Sequence, residues 1–126
     1  MGIITCALSN MKNYKADKKY FIVRSPGRVN FSQYNLVHFP ALSPSMNLFL
    51  WTRRNQLKSG WFEEYRERFE LEMKTDKGMM SALDQIEAEA KDKIVLLVCF
   101  CKDVNECHRG LIANEMAQRG IPVERH

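Results

Sequence analysis

Three cysteines, a histidine and an arginine fall within one short stretch, "CFCKDVNECHR" (Cys99–Arg109), directly after the most apolar run of the chain. These residue types can do chemistry together. A thiol is a nucleophile once it is a thiolate, an imidazole can move its proton, and a guanidinium can hold a phosphate or carboxylate through two hydrogen bonds. Cys101 and Cys107 are the candidate nucleophiles, His108 the candidate acid/base and Arg109 the candidate anion clamp. Cys99 and Cys101 are two residues apart, so on a strand their side chains share a face. Cys107, His108 and Arg109 are expected in the first turns of a helix, where free amides and the positive dipole end favour anions. Cys6, near the end of an early apolar run, is expected to bring a fourth sulfur into the same crevice.

Other readings of these residues stand beside that one. Free cysteine is among the most buried residue types, so Cys99 can simply continue an apolar strand, and Cys107 can pack beside Leu111. A zinc reading takes Cys99, Cys101, Cys107 and His108 as four ligands. C-x-C-x5-C-H is not a usual zinc spacing, and adjacent helical residues project roughly 100° apart. The expectation is therefore no metal and no other cofactor, with zinc as the minor alternative. A phosphatase-type loop needs Cys, five residues, then Arg. Five residues after Cys101 comes Cys107 instead.

The elements that must position these groups follow from patterning. "GIITCAL" (Gly2–Leu8) and "YFIVRSPG" (Tyr20–Gly27) read as strands, the second stopped by Pro26-Gly27. Between them Met11–Tyr20 reads as a polar loop or frayed turn. A third apolar piece, Leu36–Phe39, precedes Ser43-Pro44, which reads as a helix start. Ser59–Lys74 is the clearest helix, with Phe62, Tyr65, Phe69 and Met73 on one face; that spacing favours core packing over base stacking. Ser81–Lys91 is expected as a serine-capped helix, and "KIVLLVCFC" as a central strand covered on both faces. A last helix is expected from Asp103, with Glu106 completing a capping box and Gly120 stopping it, before an edge strand "IPVERH". The alternation predicts an α/β fold, a Rossmann-like three-layer sandwich in which a mostly parallel sheet is flanked by helices, in one domain spanning residues 1–126.

Charge divides the chain. Residues 1–60 hold nine Lys/Arg against one acid, Asp17; residues 61–126 hold ten against fourteen. The basic half points to phosphate-bearing partners, a nucleotide or, alternatively, a nucleic acid, with Arg24 and Arg28 of "IVRSPGR" as further anion ligands. The longest apolar run, Ile94–Cys101, is far short of the roughly 20 residues a membrane span needs. "MGIITC" matches neither a secretory signal nor the myristoylation pattern, so a cytoplasmic protein with reduced thiols is expected, with no membrane partner.

"LLVCFCKD" followed by "ECHRGLIANEM" resembles the domain-of-unknown-function family 488, in which a strand, a cysteine and a polar loop lead to Cys-His-Arg opening a helix. "ALSPS", "WFEEYRERFELEM", "IITC" and "YFIVRSPG" extend the resemblance over most of the chain. It implies a compact Rossmann-like fold, a bacterial or phage origin and no established activity, with Cys99, Cys107, His108 and Arg109 in the distinctive positions. Many members carry an acidic residue where this chain has Cys101, and some have an Asp-x-Arg element where this chain offers Arg24 and Arg28 without the acid. Three functions follow as expectations: a thiol-dependent enzyme on a nucleotide or nucleic-acid component, a non-catalytic binder of such an anion, or a zinc-stabilised interaction module.

Overall fold

The run "IVLLVC" is out of water along nearly its whole length because it forms the middle strand of a sheet. The computed structural model describes residues 1–126. Strand β1 is Gly2–Ala7, β2 Lys18–Phe21, β3 Val37–His38, β4 Ile94–Cys99 and β5 Val123–Arg125. They lie in the order β3-β2-β4-β1-β5, and every pairing is parallel. A parallel central strand is covered on both faces, which is why its sequence does not alternate. Val95, Leu96, Leu97 and Val98 are each fully buried, contributing roughly 1.5–3 kcal/mol apiece.

Five helices connect these strands: α1 Phe31–Tyr34, α2 Met46–Asn55, α3 Trp61–Thr75, α4 Lys77–Ala90 and α5 His108–Gln118. Between β3 and β4 the chain runs through α2, α3 and α4; between β4 and β5 it runs through α5, which packs on α3. A 3-10 segment, Leu8–Asn13, joins β1 to β2. On α3 the residues Tyr65, Phe69 and Met73 are buried, and the Tyr65 and Phe69 rings stack at 6.0 Å. The expected apolar face is therefore core.

Strand β2 ends at Phe21, short of the expected stop at Pro26-Gly27, and among the helices three starts move for local reasons. Helix α2 is capped by Ser45, whose Oγ accepts the Leu48 amide at 3.2 Å, while the Ser43 hydroxyl donates to the Pro40 carbonyl. Helix α4 starts at Lys77 under Asp76, whose carboxylate accepts the Met79 amide at 2.9 Å, so Ser81 lies inside the helix. The last helix does not run from Asp103. Asp103 instead caps a 3-10 turn, Val104–Glu106, then Cys107 is extended (φ −145°, ψ 147°), and α5 begins at His108. Gly120, at φ +84°, ends it as expected.

Gly110 makes that break tight. A β-carbon there would meet the Val104 carbonyl oxygen well inside van der Waals contact. Helix propensity alone favours alanine over glycine by about 1 kcal/mol. The clash is with backbone, which cannot swing aside as a side chain can, so the sign reverses. Gly110→Ala is expected to destabilise the fold by about 1–3 kcal/mol, read as a lower urea midpoint at unchanged slope.

Candidate functional site

Cys99 is the last residue of β4 and Cys107 the cap of α5, and the loop between them folds the two sulfurs together. The Cys107 thiol donates to Cys99 Sγ at 3.4 Å. Cys101 turns its sulfur to the same place, so all three Sγ atoms lie within 4.8 Å of one another. Cys99 and Cys107 are buried; Cys101 is exposed. Because Cys107 is extended rather than helical, it and His108 do not diverge as two successive helical residues do, and both face one point.

His108 is fixed by chemistry as well as packing. Its Nε2 lies 2.6 Å from the Ile22 carbonyl oxygen, which can only accept, so Nε2 carries the hydrogen. That leaves Nδ1 with its lone pair aimed at the sulfurs, 3.9 Å from Cys99 and 3.8 Å from Cys107. Phe69 closes the ring's flank at 5.7 Å. A base oriented by a third group is the arrangement nucleophilic catalysis requires. Cys99 and Cys101 hold their protons in this crowd. The hydrogen bond with Cys101, with burial, pushes Cys99 up to about 12, and that with Cys107, with burial, pushes Cys101 up to about 11.

Arg109 is not the anion clamp its sequence position implied. It is fully buried, and Nε, Nη1 and Nη2 donate to the backbone oxygens of His126, Cys101 and Lys102 at 3.1, 2.6 and 3.2 Å. The first residues of α5, His108 to Ile112, are likewise buried. What Arg109 does is pin the loop that carries Cys101.

The opening over the sulfurs is a cavity of about 210 Å³ beyond the carboxyl ends of β2 and β4, walled by Cys99, Cys101 and His108 on one side. Arg24, Arg53 and Gln56 wall the other side, and no carboxylate borders it. Arg24 is half-buried and donates through Nε and Nη2 to the Pro44 carbonyl, leaving Nη1 without a protein partner. Arg53 forms no ion pair or hydrogen bond and lies over Phe49 at 5.8 Å. Sequence reasoning missed Arg53 and Gln56. The signal was available: Phe49, Thr52, Arg53 and Gln56 share one stripe of α2 at helical spacing. A larger groove, about 720 Å³, lies near Arg119, but that residue's charge is already taken by Asp84, Glu87 and Glu115.

Two expected members are absent from the site. Arg28 is exposed and does not border the cavity. Cys6 pairs with Val98 while Ala7 pairs with Cys99, and strand alternation therefore puts the Cys6 and Cys99 sulfurs on opposite faces of the sheet.

Two outcomes follow. Arg109→Ala is expected to cost at least about 3 kcal/mol of stability, because three backbone acceptors lose a charged donor; thermal unfolding of the variant checks this against a loss confined to ligand binding. Burial lifts the Cys6 thiol to about 11 despite the opposing pull of Arg109. A thiol whose pKa is higher folded than unfolded stabilises the fold below its ordinary pKa, and that contribution is lost as pH rises through the folded value. Between pH 9 and about 11 the wild type should lose stability more steeply than Cys6→Ala, in urea titrations at successive pH.

No curated protein and no solved structure matches the chain. A family match does exist, to DUF488-N3a, described as "Active DUF488-N3 subclade", over residues 3–120. That span takes in every strand but the last, the whole sulfur cluster and both cavity arginines. The chain thus belongs to the DUF488-N3a family.

Proposed function

We propose that this protein is a thiol-dependent enzyme acting on a small phosphate-bearing substrate of the nucleotide class. One observation carries the reading: a single cavity is bordered both by the sulfur cluster with His108 and by two guanidinium groups with donors to spare. The word "Active" in the family description agrees with catalysis and names no reaction. At about 210 Å³ the cavity is smaller than the roughly 300–1,000 Å³ of a drug-sized site. That size suits a mononucleotide rather than a dinucleotide.

In this reading Cys101, the exposed sulfur of the three, is the nucleophile. Arg53 and Nη1 of Arg24 hold the phosphate, and Gln56 and Ser25 offer hydrogen bonds to the rest. The Cys101 sulfur bonds to an electrophilic carbon as that carbon's bond to its departing group breaks. The departing group leaves with the bonding pair and takes up the proton lost from the thiol. Water then cleaves the carbon–sulfur bond and restores the thiol. His108, through the neighbouring sulfurs, is the nearest base for these proton movements.

Iodoacetamide labelling of the native protein with peptide mapping tests this. Cys101 should label first, and a nucleoside monophosphate should slow that labelling. Arg53→Ala should weaken the protection about tenfold, ~1.4 kcal/mol. Equal, sluggish labelling of all four cysteines, or no protection by any nucleotide tried, would overturn the proposal.

A further inference from the structure

We infer that Cys99, Cys101, Cys107 and His108 form a zinc site, in which three sulfurs and Nδ1 converge on one ion at the floor of the cavity. The inference rests on the reading above only for what the ion does to Cys101; the site itself stands on geometry.

Zinc takes thiolate sulfur at about 2.3 Å and imidazole nitrogen at about 2.0–2.1 Å in a tetrahedron, so its ligand atoms are separated by about 3.5–3.8 Å. Here the Cys99–Cys107 sulfur separation is 3.4 Å, and the two sulfur–Nδ1 separations are 3.9 and 3.8 Å. Three edges of the tetrahedron are therefore within a few tenths of an ångström of what the ion needs. Cys101 Sγ lies within 4.8 Å of both other sulfurs but not of Nδ1, so this exposed side chain must swing toward the imidazole to complete the tetrahedron.

The second observation is the far side of the imidazole. A metal-bound histidine characteristically donates its other ring N–H to a carbonyl or carboxylate, which fixes the tautomer and the ring plane. The Ile22 carbonyl does this for His108 at 2.6 Å. The outer support continues to the loop, where Arg109 holds the carbonyls of Cys101 and Lys102. Four soft donors, three of them buried, suit zinc better than magnesium, calcium or manganese. The objection from sequence, that adjacent Cys107 and His108 diverge by a helical step, does not apply, since Cys107 is extended.

The arrangement gives the four ligands unequal duties. Cys99, Cys107 and His108 are enclosed by protein, whereas Cys101 faces the cavity. A coordinating thiol is deprotonated outright, so the ion turns the exposed sulfur into a thiolate at neutral pH; with Nδ1 bound to it, the ion takes over from His108 the activation of Cys101.

The test is elemental analysis of full-length protein purified without chelator, followed by cobalt(II) substitution. One zinc per chain is expected, and cobalt should give tetrahedral d–d bands with sulfur-to-cobalt charge transfer. Cys101→Ser should keep the fold, weaken zinc affinity by ten- to a hundredfold and reduce the charge-transfer intensity. Less than a tenth of an equivalent of zinc, with no tetrahedral cobalt spectrum from folded wild-type protein, overturns the inference. Nucleotide-protected labelling of Cys101 in such metal-free protein would leave the enzyme reading standing alone. Full zinc occupancy with an inert Cys101 would leave the site standing and remove the enzyme reading.

Discussion

A buried guanidinium must find acceptors or the fold cannot keep it, and Arg109 finds three in segments that the chain order keeps apart. Its donors reach two residues of the loop after β4, Cys101 and Lys102, and the backbone oxygen of His126 beyond β5. The loop after β4 carries no regular hydrogen bonding of its own until Val104, so these contacts decide where it runs. With the loop held, Cys101 stands beside Cys99 instead of swinging into solvent. The same tie joins α5 to the strands on both its sides, β4 and β5. The site is thus a consequence of satisfying one buried cation with carbonyl oxygens, a role in which lysine, lacking the planar fork, is a poor substitute.

The second constraint is the single extended residue between two helical turns. Asp103 takes the Asn105 amide and winds Val104–Glu106 into a 3-10 turn. The close approach of Gly110 to Val104 then leaves no room for that turn to continue smoothly into α5. Cys107 absorbs the mismatch in its backbone. Its side chain consequently points back at Cys99, not along the helix flank toward Leu111. Glycine after Cys-His-Arg is as much a part of the site's construction as the residues with reactive atoms.

Much of this was legible in the sequence, and the gaps have physical causes. The central strand, the α3 core face and the association of Cys99, Cys101, Cys107 and His108 all follow from patterning and spacing, because they depend on local chain geometry. The side of the sheet on which Cys6 falls does not. It depends on the register between β1 and β4, which are separated by most of the chain, and a shift of one residue would exchange the faces. The role of Arg109 is hidden in the sequence for a related reason. A guanidinium beside a helix start suits an external anion equally well, and its real acceptors reach it only when the sheet closes. Asp103 and Glu106 do fit a capping pattern, which predicts that Asp103 opens α5, whereas it opens the short turn before it. That one-turn error created the false divergence between Cys107 and His108.

Electrostatics connects the floor of the cavity to its rim. No carboxylate lines it, and burial holds the Tyr65 phenol well above its ordinary range, in its neutral form. The sulfur centre is therefore the one place in the cavity where negative charge can develop, facing two guanidinium groups across a small volume. With zinc bound as inferred, three thiolates around the divalent cation would carry one net negative charge, with the imidazole neutral, against two positive charges on Arg24 and Arg53. The balance left over is positive. On the proposed function, the phosphate of an entering substrate would be attracted by the rim and kept off the sulfur floor by like charge, which would orient the substrate with its uncharged end towards Cys101. A cavity lined by arginine alone would bind the same anion in either direction. The sulfur cluster is what gives this one a polarity.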